Sequence, residues 1–381
     1  MRISPLILTV LLAVAPAYAT ESSPATTYRV DAARTGVYPP SFVAPTIVGK
    51  KRWELHSGYW WQSYVGGRGV YSSPVAVDGL LIFGAADGYL YAVETATGDI
   101  RWTFKTHDSL IPLGVWVISS PTVVDGVAYI GSGGGKIWGV DIATGEAVFV
   151  FDGKHEISGS PVVVDGVLYA GGYMGEMYAV DVATGATRWV YHARDTIFSS
   201  PAYADGRIFF GSRDKFVRAV DAATGRELWK AGSQKDVDAT PAVKDGVVYV
   251  AAGDGLLTAY DAATGEKKWA FKAGHGIYSS PAVTDDAVYF GSWDGGFYAI
   301  DRATGEKLWR RQTGYRIDAP PLVVGDRIYV GSGDKHLYAL ERATGEIIWT
   351  FPTRNEVRVQ PAVTQSGLYV ADESGWVYAL E

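Results

Sequence analysis

The sequence predicts an all-β fold: an eight-bladed β-propeller with four-stranded antiparallel blades, its ring closed by an N-terminal strand that completes the C-terminal blade. Three observations predict it. Proline recurs at 121, 161, 201, 241, 281, 321 and 361, each step being forty, and Pro74 precedes them by forty-seven. A Thr-Gly pair recurs at 97–98, 144–145, 184–185, 224–225, 264–265, 304–305 and 344–345. Four residues after each of those glycines stands an aromatic: Trp102, Phe149, Trp189, Trp229, Trp269, Trp309 and Trp349. A period near forty marks a stacked repeat rather than a string of independent domains.

One repeat can be read through. Residues 281–284 form a short strand, Asp285-Asp286 turn it, and 287–292 form a second. Trp293-Asp294-Gly295 make a hairpin, 297–301 a third strand, Arg302-Ala303-Thr304-Gly305 another turn, and 306–310 a fourth strand. The recurrent tryptophans are expected on the outermost strands, packed over the neighbouring blade's Ala-Thr-Gly turn, because an exposed functional Trp would not recur in blade after blade. There are eight proline-led first strands but seven Thr-Gly turns, and the last repeat stops at Val377-Tyr378-Ala379-Leu380-Glu381, after its third strand. The missing fourth strand is expected in Lys51-Arg52-Trp53-Glu54-Leu55, with Trp53 at the repeat's tryptophan position. Closure in this way avoids a bare sheet edge.

Residues 1–19 read as a secretory signal: Arg2, an apolar run over 6–14 that is too short to span a bilayer, then Ala17-Tyr18-Ala19 before the expected cut. The expected organisation is signal peptide 1–19, extended segment 20–50 and propeller 51–381, in a periplasmic or secreted, soluble protein. The chain has 381 residues, a net charge of −7 and no basic stripe, which argues against a nucleic-acid partner. It has no cysteine, so disulfides, thiolate metal sites and a lipidated cysteine are excluded. Gly131-Ser132-Gly133-Gly134-Gly135-Lys136 looks like a phosphate loop, but it is one residue short and Ile137 stands where a hydroxyl is needed.

The unit Tyr298-Ala299-Ile300-Asp301-Arg302-Ala303-Thr304-Gly305-Glu306-Lys307-Leu308-Trp309 resembles the tryptophan-docking repeat of the quinoprotein family, named from dehydrogenases that use pyrroloquinoline quinone (PQQ). The resemblance covers 51–381. Within it, Lys235-Asp236-Val237-Asp238-Ala239-Thr240-Pro241 is similar to the Asp-x-Asp-Thr-Thr-Pro segment of BamB-like proteins, which support β-barrel assembly at the bacterial outer membrane. His192-Ala193-Arg194-Asp195 occupies the equivalent loop one blade earlier, where that family presents an arginine. The resemblance implies a periplasmic interaction scaffold whose partner contacts include Arg194, Asp236 and Asp238. BamB-like proteins are normally anchored through a lipidated cysteine, which this chain lacks. The segment Val30-Asp31-Ala32-Ala33-Arg34-Thr35-Gly36 resembles one seen in unassigned quinoprotein-like propellers. The alternative is a small PQQ-binding dehydrogenase, or a glycan-binding or glycan-active propeller, using an axial funnel. No specific residues support PQQ: the dehydrogenases' vicinal disulfide is impossible here, and no Glu/Asn/Asp calcium set is found.

Positions that vary between repeats carry the rest, since packing does not dictate them. Three residues before each proline stand Tyr71, Ile118, Ser158, Phe198, Asp238, Tyr278, Asp318 and Arg358, expected to ring the channel mouth. Arg68, His107, His155, Asp195, His275, Arg316 and Glu356 are expected nearby. Arg68, His155, His275, Arg316, Asp318 and Arg358 form the candidate ligand funnel; a solvated rim of paired charges is the bland alternative. Two inter-blade loops are long: one holds Tyr59, Trp60 and Trp61, the other His107, Pro112 and Trp116. Tyr59, Trp60, Trp61 and Trp116 join the candidate partner-binding set, unless these aromatics fold down to plug the channel. No catalytic residue and no metal site is assigned. His107, His155 and His275 come from different blade junctions, and no spacing makes them converge.

Overall fold

The computed structural model describes residues 29–43, 45–57, 69–107 and 116–381. These residues form eight four-stranded antiparallel sheets. Seven blades run in chain order from innermost to outermost strand, over 75–105, 122–152, 162–192, 202–232, 242–272, 282–312 and 322–352. The eighth joins Ala362–Thr364, Gly367–Ala371 and Trp376–Leu380 to Lys51–His56 on the outside. Trp53 faces Ala379 and Glu54 faces Tyr378, so the ring closes as the repeat count predicts.

Sheets stacked face to face bury their middle strands on both sides, which is why these read as continuous apolar runs. Ala287–Gly291 is buried throughout, whereas Lys307–Gln312 on the outside alternates between half-buried and exposed. Five first-to-second turns are Asp-Gly pairs: Asp78, Asp125, Asp165, Asp205 and Asp245 have φ of 48–50°, and their glycines 70–78°. Two successive positive φ values define the type I′ turn, whose twist matches a two-stranded ribbon.

The tryptophans lock blade to blade. Trp102, Trp189, Trp229, Trp269 and Trp309 each donate their indole N–H to a carbonyl of the next blade's turn, at 2.9–3.2 Å. Trp53 does the same to the Thr95 carbonyl at 3.0 Å. The turn glycine lies under the indole: a β-carbon on Gly265 would come within 2.7 Å of Trp229. Blade 8 has no Thr-Gly turn, and the chain ahead of its closing strand substitutes for one. Trp349 donates to the Ile47 carbonyl at 2.9 Å, and Gly49 takes the glycine's place beneath the ring. Phe149, which has no N–H, is the one repeat aromatic that cannot make this bond.

Two devices organise the axis. The first is a belt just before the repeat prolines. The backbone N–H groups of Ser73, Ser120, Ser160, Ser200, Thr240 and Gln360 donate to the hydroxyls of Ser120, Ser160, Ser200, Thr240, Ser280 and Ser73, each in the next blade, at 2.9–3.2 Å. Pro320 has neither hydroxyl nor N–H and interrupts the belt. The second is a strap, residues 29–38, that closes one end of the channel. Its carbonyls at Ala32, Ala33, Thr35 and Gly36 accept the N–H groups of Tyr203, Val243, Val283 and Val323, on the first strands of four successive blades. Tyr38 reaches a fifth, its hydroxyl donating to the Val363 carbonyl at 2.8 Å. Arg34 is fully buried and donates to the carbonyls of Pro201, Pro161 and Ser160 at 3.0, 2.7 and 3.2 Å. Arg29, also buried, donates to the Pro281 carbonyl.

Candidate functional site

The blade-to-blade loops and the hairpins between second and third strands lie at the channel's other end. There the residues three before each proline surround a cavity of about 190 Å³, with Ser73, Ser120, Ser160, Ser200, Thr240 and Ser280 of the belt in its lining. Tyr71, Ile118, Ser158, Phe198, Asp238, Tyr278, Asp318 and Arg358 are thus neighbours round one mouth, although they come from eight blades.

A second variable position sits beside the first. The hairpins place Gly133, Tyr173, Arg213, Gly253, Trp293, Gly333 and Glu373 at the same register, forty residues apart. Tyr173, Arg213, Gly253 and Trp293 each lie next to the mouth residue twenty-five positions later, on the next blade. The Tyr173 ring meets Phe198 edge-on at 5.8 Å. Arg213 grips Asp238 with two nitrogens at 3.2 and 3.1 Å and lies 4.2 Å over the Phe198 ring. The indole N–H of Trp293 donates to Asp318. Where glycine stands at 253, the Tyr278 hydroxyl fills the space a side chain would need.

The charged residues fall into two groups. At the junction of blades 4 and 5, burial pushes the Asp238 carboxyl above its ordinary value, and Asp236 and Asp195 push it further, against the hydrogen bonds from Arg213. Asp236 is half-buried beside it. Arg194 is exposed; its backbone N–H caps Asp214 at 3.0 Å, and Asp214 is itself locked to the buried Arg218. Between the loop that joins blades 6 and 7 and the loop that joins blades 7 and 8, Arg316 reaches Asp318 and Glu356, both at 3.3 Å. Arg358 meets Glu356 at 2.7 Å, Glu373 at 2.9 Å and Asp318 at 3.6 Å. Burial tends to raise Glu356, yet its bonds from Arg358 and Arg316 hold it below the usual carboxylate range. Burial raises Glu373 despite Arg358. Trp293 ties in the aromatics, with Tyr278 at 4.4 Å, His275 nearly parallel at 5.8 Å and Arg316 at 5.3 Å.

The structure therefore brings Arg316, Asp318 and Arg358 into one network and sets His275 at its edge. His155 is elsewhere, 3.2 Å from Glu176 near blade 3. Trp116 is exposed, its indole 3.3 Å from Glu156. His107 meets the edge of Tyr89. The three histidines do not share a site, and among the described residues no three His, Asp or Glu side chains group to hold a metal. Asp238 and Asp318 line the same mouth but pair with different arginines. Tyr59, Trp60, Trp61 and Arg68 lie outside the described residues. Sequence reading overlooked Arg213, Tyr173, Met174, Trp293, Tyr315 and Glu373. The forty-residue register of the hairpins held the signal for four of them.

Several solved structures share this architecture. BamB from Moraxella catarrhalis superposes with a TM-score of 0.71 at 22% identity, over 87% of this chain and 99% of that one. The computationally designed Ika8 protein gives 0.73 at 19% identity, over 82% and 97%. Quinohemoprotein alcohol dehydrogenase from Comamonas testosteroni gives 0.77 at 16% identity, over 96% and 81%. At such identities the likeness shows the fold alone. A search of curated protein sequences returns no match. The family model described as outer membrane protein assembly factor BamB matches residues 56–215, 213–322 and 299–381, nearly the whole ring. With its eight blades, docked tryptophans and ring closure, the chain belongs to that family of PQQ-type repeat propellers.

Proposed function

We propose that this protein is a cell-envelope interaction scaffold of the BamB type, binding a protein partner of the outer-membrane β-barrel assembly machinery through the open face. One observation carries the reading. Among the described residues the exposed tyrosines and tryptophans, Tyr71, Trp116, Tyr173, Trp293 and Tyr315, all lie on that face, joined by Met174. Exposed aromatics and methionine interleaved with arginine are the composition of interface hot spots. Arg194, Asp236 and Asp238 stand among them, with Arg213 holding Asp238 in place. Residues 1–19 would direct export and be removed, leaving the extended segment and the propeller in the periplasm. The described residues include no helix long and apolar enough to cross a membrane.

The quinoprotein alternative has less support. PQQ is a planar tricarboxylate, and the mouth offers it poor charge complementarity. Asp238 and Asp318 line the cavity, and the arginines nearest them already hold carboxylates. The deciding experiment is capture from envelope extracts with the tagged, signal-processed protein. A β-barrel assembly component should be recovered by the wild type and lost with D238A. Recovery of none by the wild type would sink the proposal. A stoichiometric quinone spectrum with dye reduction, after adding PQQ and calcium, would favour the alternative.

A further inference from the structure

Blade 2 breaks a rule that the other outer strands keep. An outermost strand bares a row of backbone N–H and C=O groups, and proteins blunt such an edge with charged side chains, lysine above all, or with proline. Six of the eight outer strands carry lysine or arginine, and Ile347–Pro352 ends in proline. Ala147–Asp152 of blade 2 has none of these, and its one charge, Asp152, stands at its end. Val148 and Val150 are 60% and 52% exposed, and among the described residues no strand pairs beyond this one. Gly153 donates its N–H inward to Gly135, so by strand alternation the N–H and C=O groups of Val150 and Asp152 point away from the sheet.

The same strand is the least anchored. It carries Phe149 in place of the docking tryptophan. In the other six Thr-Gly turns, a β-carbon on the glycine would meet an indole at 2.6–2.8 Å; on Gly185 it would meet only the Val150 carbonyl, at 4.0 Å.

The strand's own sequence says what fits its edge. Two copies of one strand related by a two-fold axis pair antiparallel. With Val150 set opposite the same residue of a second copy, Val148 faces Asp152. Glu146, just ahead of the strand, then falls beside Lys154, just past it, at both ends of the pair. Both side chains are exposed, and neither has an ion-pair partner among the described residues. Centring the pair on Phe149 would instead set Glu146 against Asp152, like charges that oppose pairing.

We infer that the outer edge of blade 2 is a self-association surface: Ala147–Asp152 pairs antiparallel with the same strand of a second copy, centred on Val150. The surface lies on the rim of the propeller, away from the mouth, so the inference stands whether or not the open face binds an assembly partner.

Because the chain has no cysteine, a single introduced one can cross-link only to itself. Hydrogen-bonded antiparallel neighbours lie about 5.5 Å apart between Cα atoms, within disulfide reach. Mild oxidation of signal-processed V150C should therefore give a disulfide-linked dimer, whereas T350C, at the same strand position in blade 7, should not. Absence of the V150C cross-link would overturn the inference. Sedimentation velocity across the micromolar range should show the wild type in monomer–dimer exchange. V150K sets lysine against lysine and should weaken that exchange about tenfold, with the circular dichroism spectrum unchanged. E146K should weaken it severalfold, and E146K with K154E should restore it. A wild type that stays monomeric, or a V150K that dimerises equally well, would overturn the inference. So would a monomeric wild type that captures a foreign protein lost with V150K, which would assign the edge to another chain's strand. Should V150K fail to fold, V150C and the charge swap decide.

Discussion

The two ends of the channel are built from the same repeat and solve opposite problems. The closed end is sealed by a segment outside the repeat, the strap of residues 29–38, whose groups are matched to fixed backbone carbonyls and N–H groups of successive first strands. The open end is lined by repeat positions that no packing rule fixes, and its charges are matched to one another across blade junctions. Arg34 and Arg213 make the contrast plain. One guanidinium is fully buried on backbone carbonyls; the other is nearly half exposed on a carboxylate. A buried cation on fixed carbonyls is an architectural commitment, because removing it strands several acceptors at once. A half-exposed pair contributes little stability and can be re-matched with a partner's charges. The propeller thus concentrates rigidity at one end and replaceable contacts at the other.

The largest effect that would break this contrast is expected at the closed end. R34M should lower unfolding free energy by about 4 kcal/mol, since three buried carbonyls lose a charged donor; urea denaturation checks it, and a loss below about 1 kcal/mol would show that the strap is dispensable. Next comes the ring closure on which both ends depend. W53A removes an indole packed on Gly98 and bonded to Thr95, and should cost about 3 kcal/mol by the same measurement. The open end should respond differently. R213A should change stability by no more than about 1 kcal/mol yet reduce capture of the partner severalfold; a large stability loss with normal capture would reverse the assignment of roles.

The smallest effect is a difference in pH response. Burial raises Asp31 above its ordinary 3.8, so the folded state holds its proton more tightly than the unfolded state does. Its contribution therefore weakens as pH rises from 3.8 through the folded value. Glu356 is lowered from 4.5 by its arginines, so its contribution is present above 4.5 and is lost as pH falls through its folded value. D31N should therefore remove a loss of stability on raising pH across the mildly acidic range, and E356Q a loss on lowering it. Denaturant midpoints followed from pH 7 down to about 3 read both slopes, and the same slope for both variants would refute the distinction.

Much of this was legible in the chain itself. Seven Thr-Gly turns against eight proline-led strands leave one fourth strand unaccounted for, and only Lys51–His56 carries a tryptophan in the right place. The mouth ring was legible for the same reason: a strict period puts equal repeat positions at equal heights. The pairing within the ring was not. That Arg213 holds Asp238, or that Trp293 bonds Asp318, depends on which blade follows which face and on a lateral offset of twenty-five residues between neighbours. The strap was hidden too, since Val30-Asp31-Ala32-Ala33-Arg34 has neither alternation nor a turn signature. Its conformation comes from the first strands it meets, those of blades 4 to 8.

By itself, then, the sequence determined the blade, the blade count and the closure, because these follow from local periodicity and from an arithmetic of repeats. Tertiary structure alone decided the chemistry at the axis. Belt, strap and paired charges are contacts between residues tens to hundreds of positions apart. Their partners are chosen by the curvature of the closed ring, which no local pattern encodes.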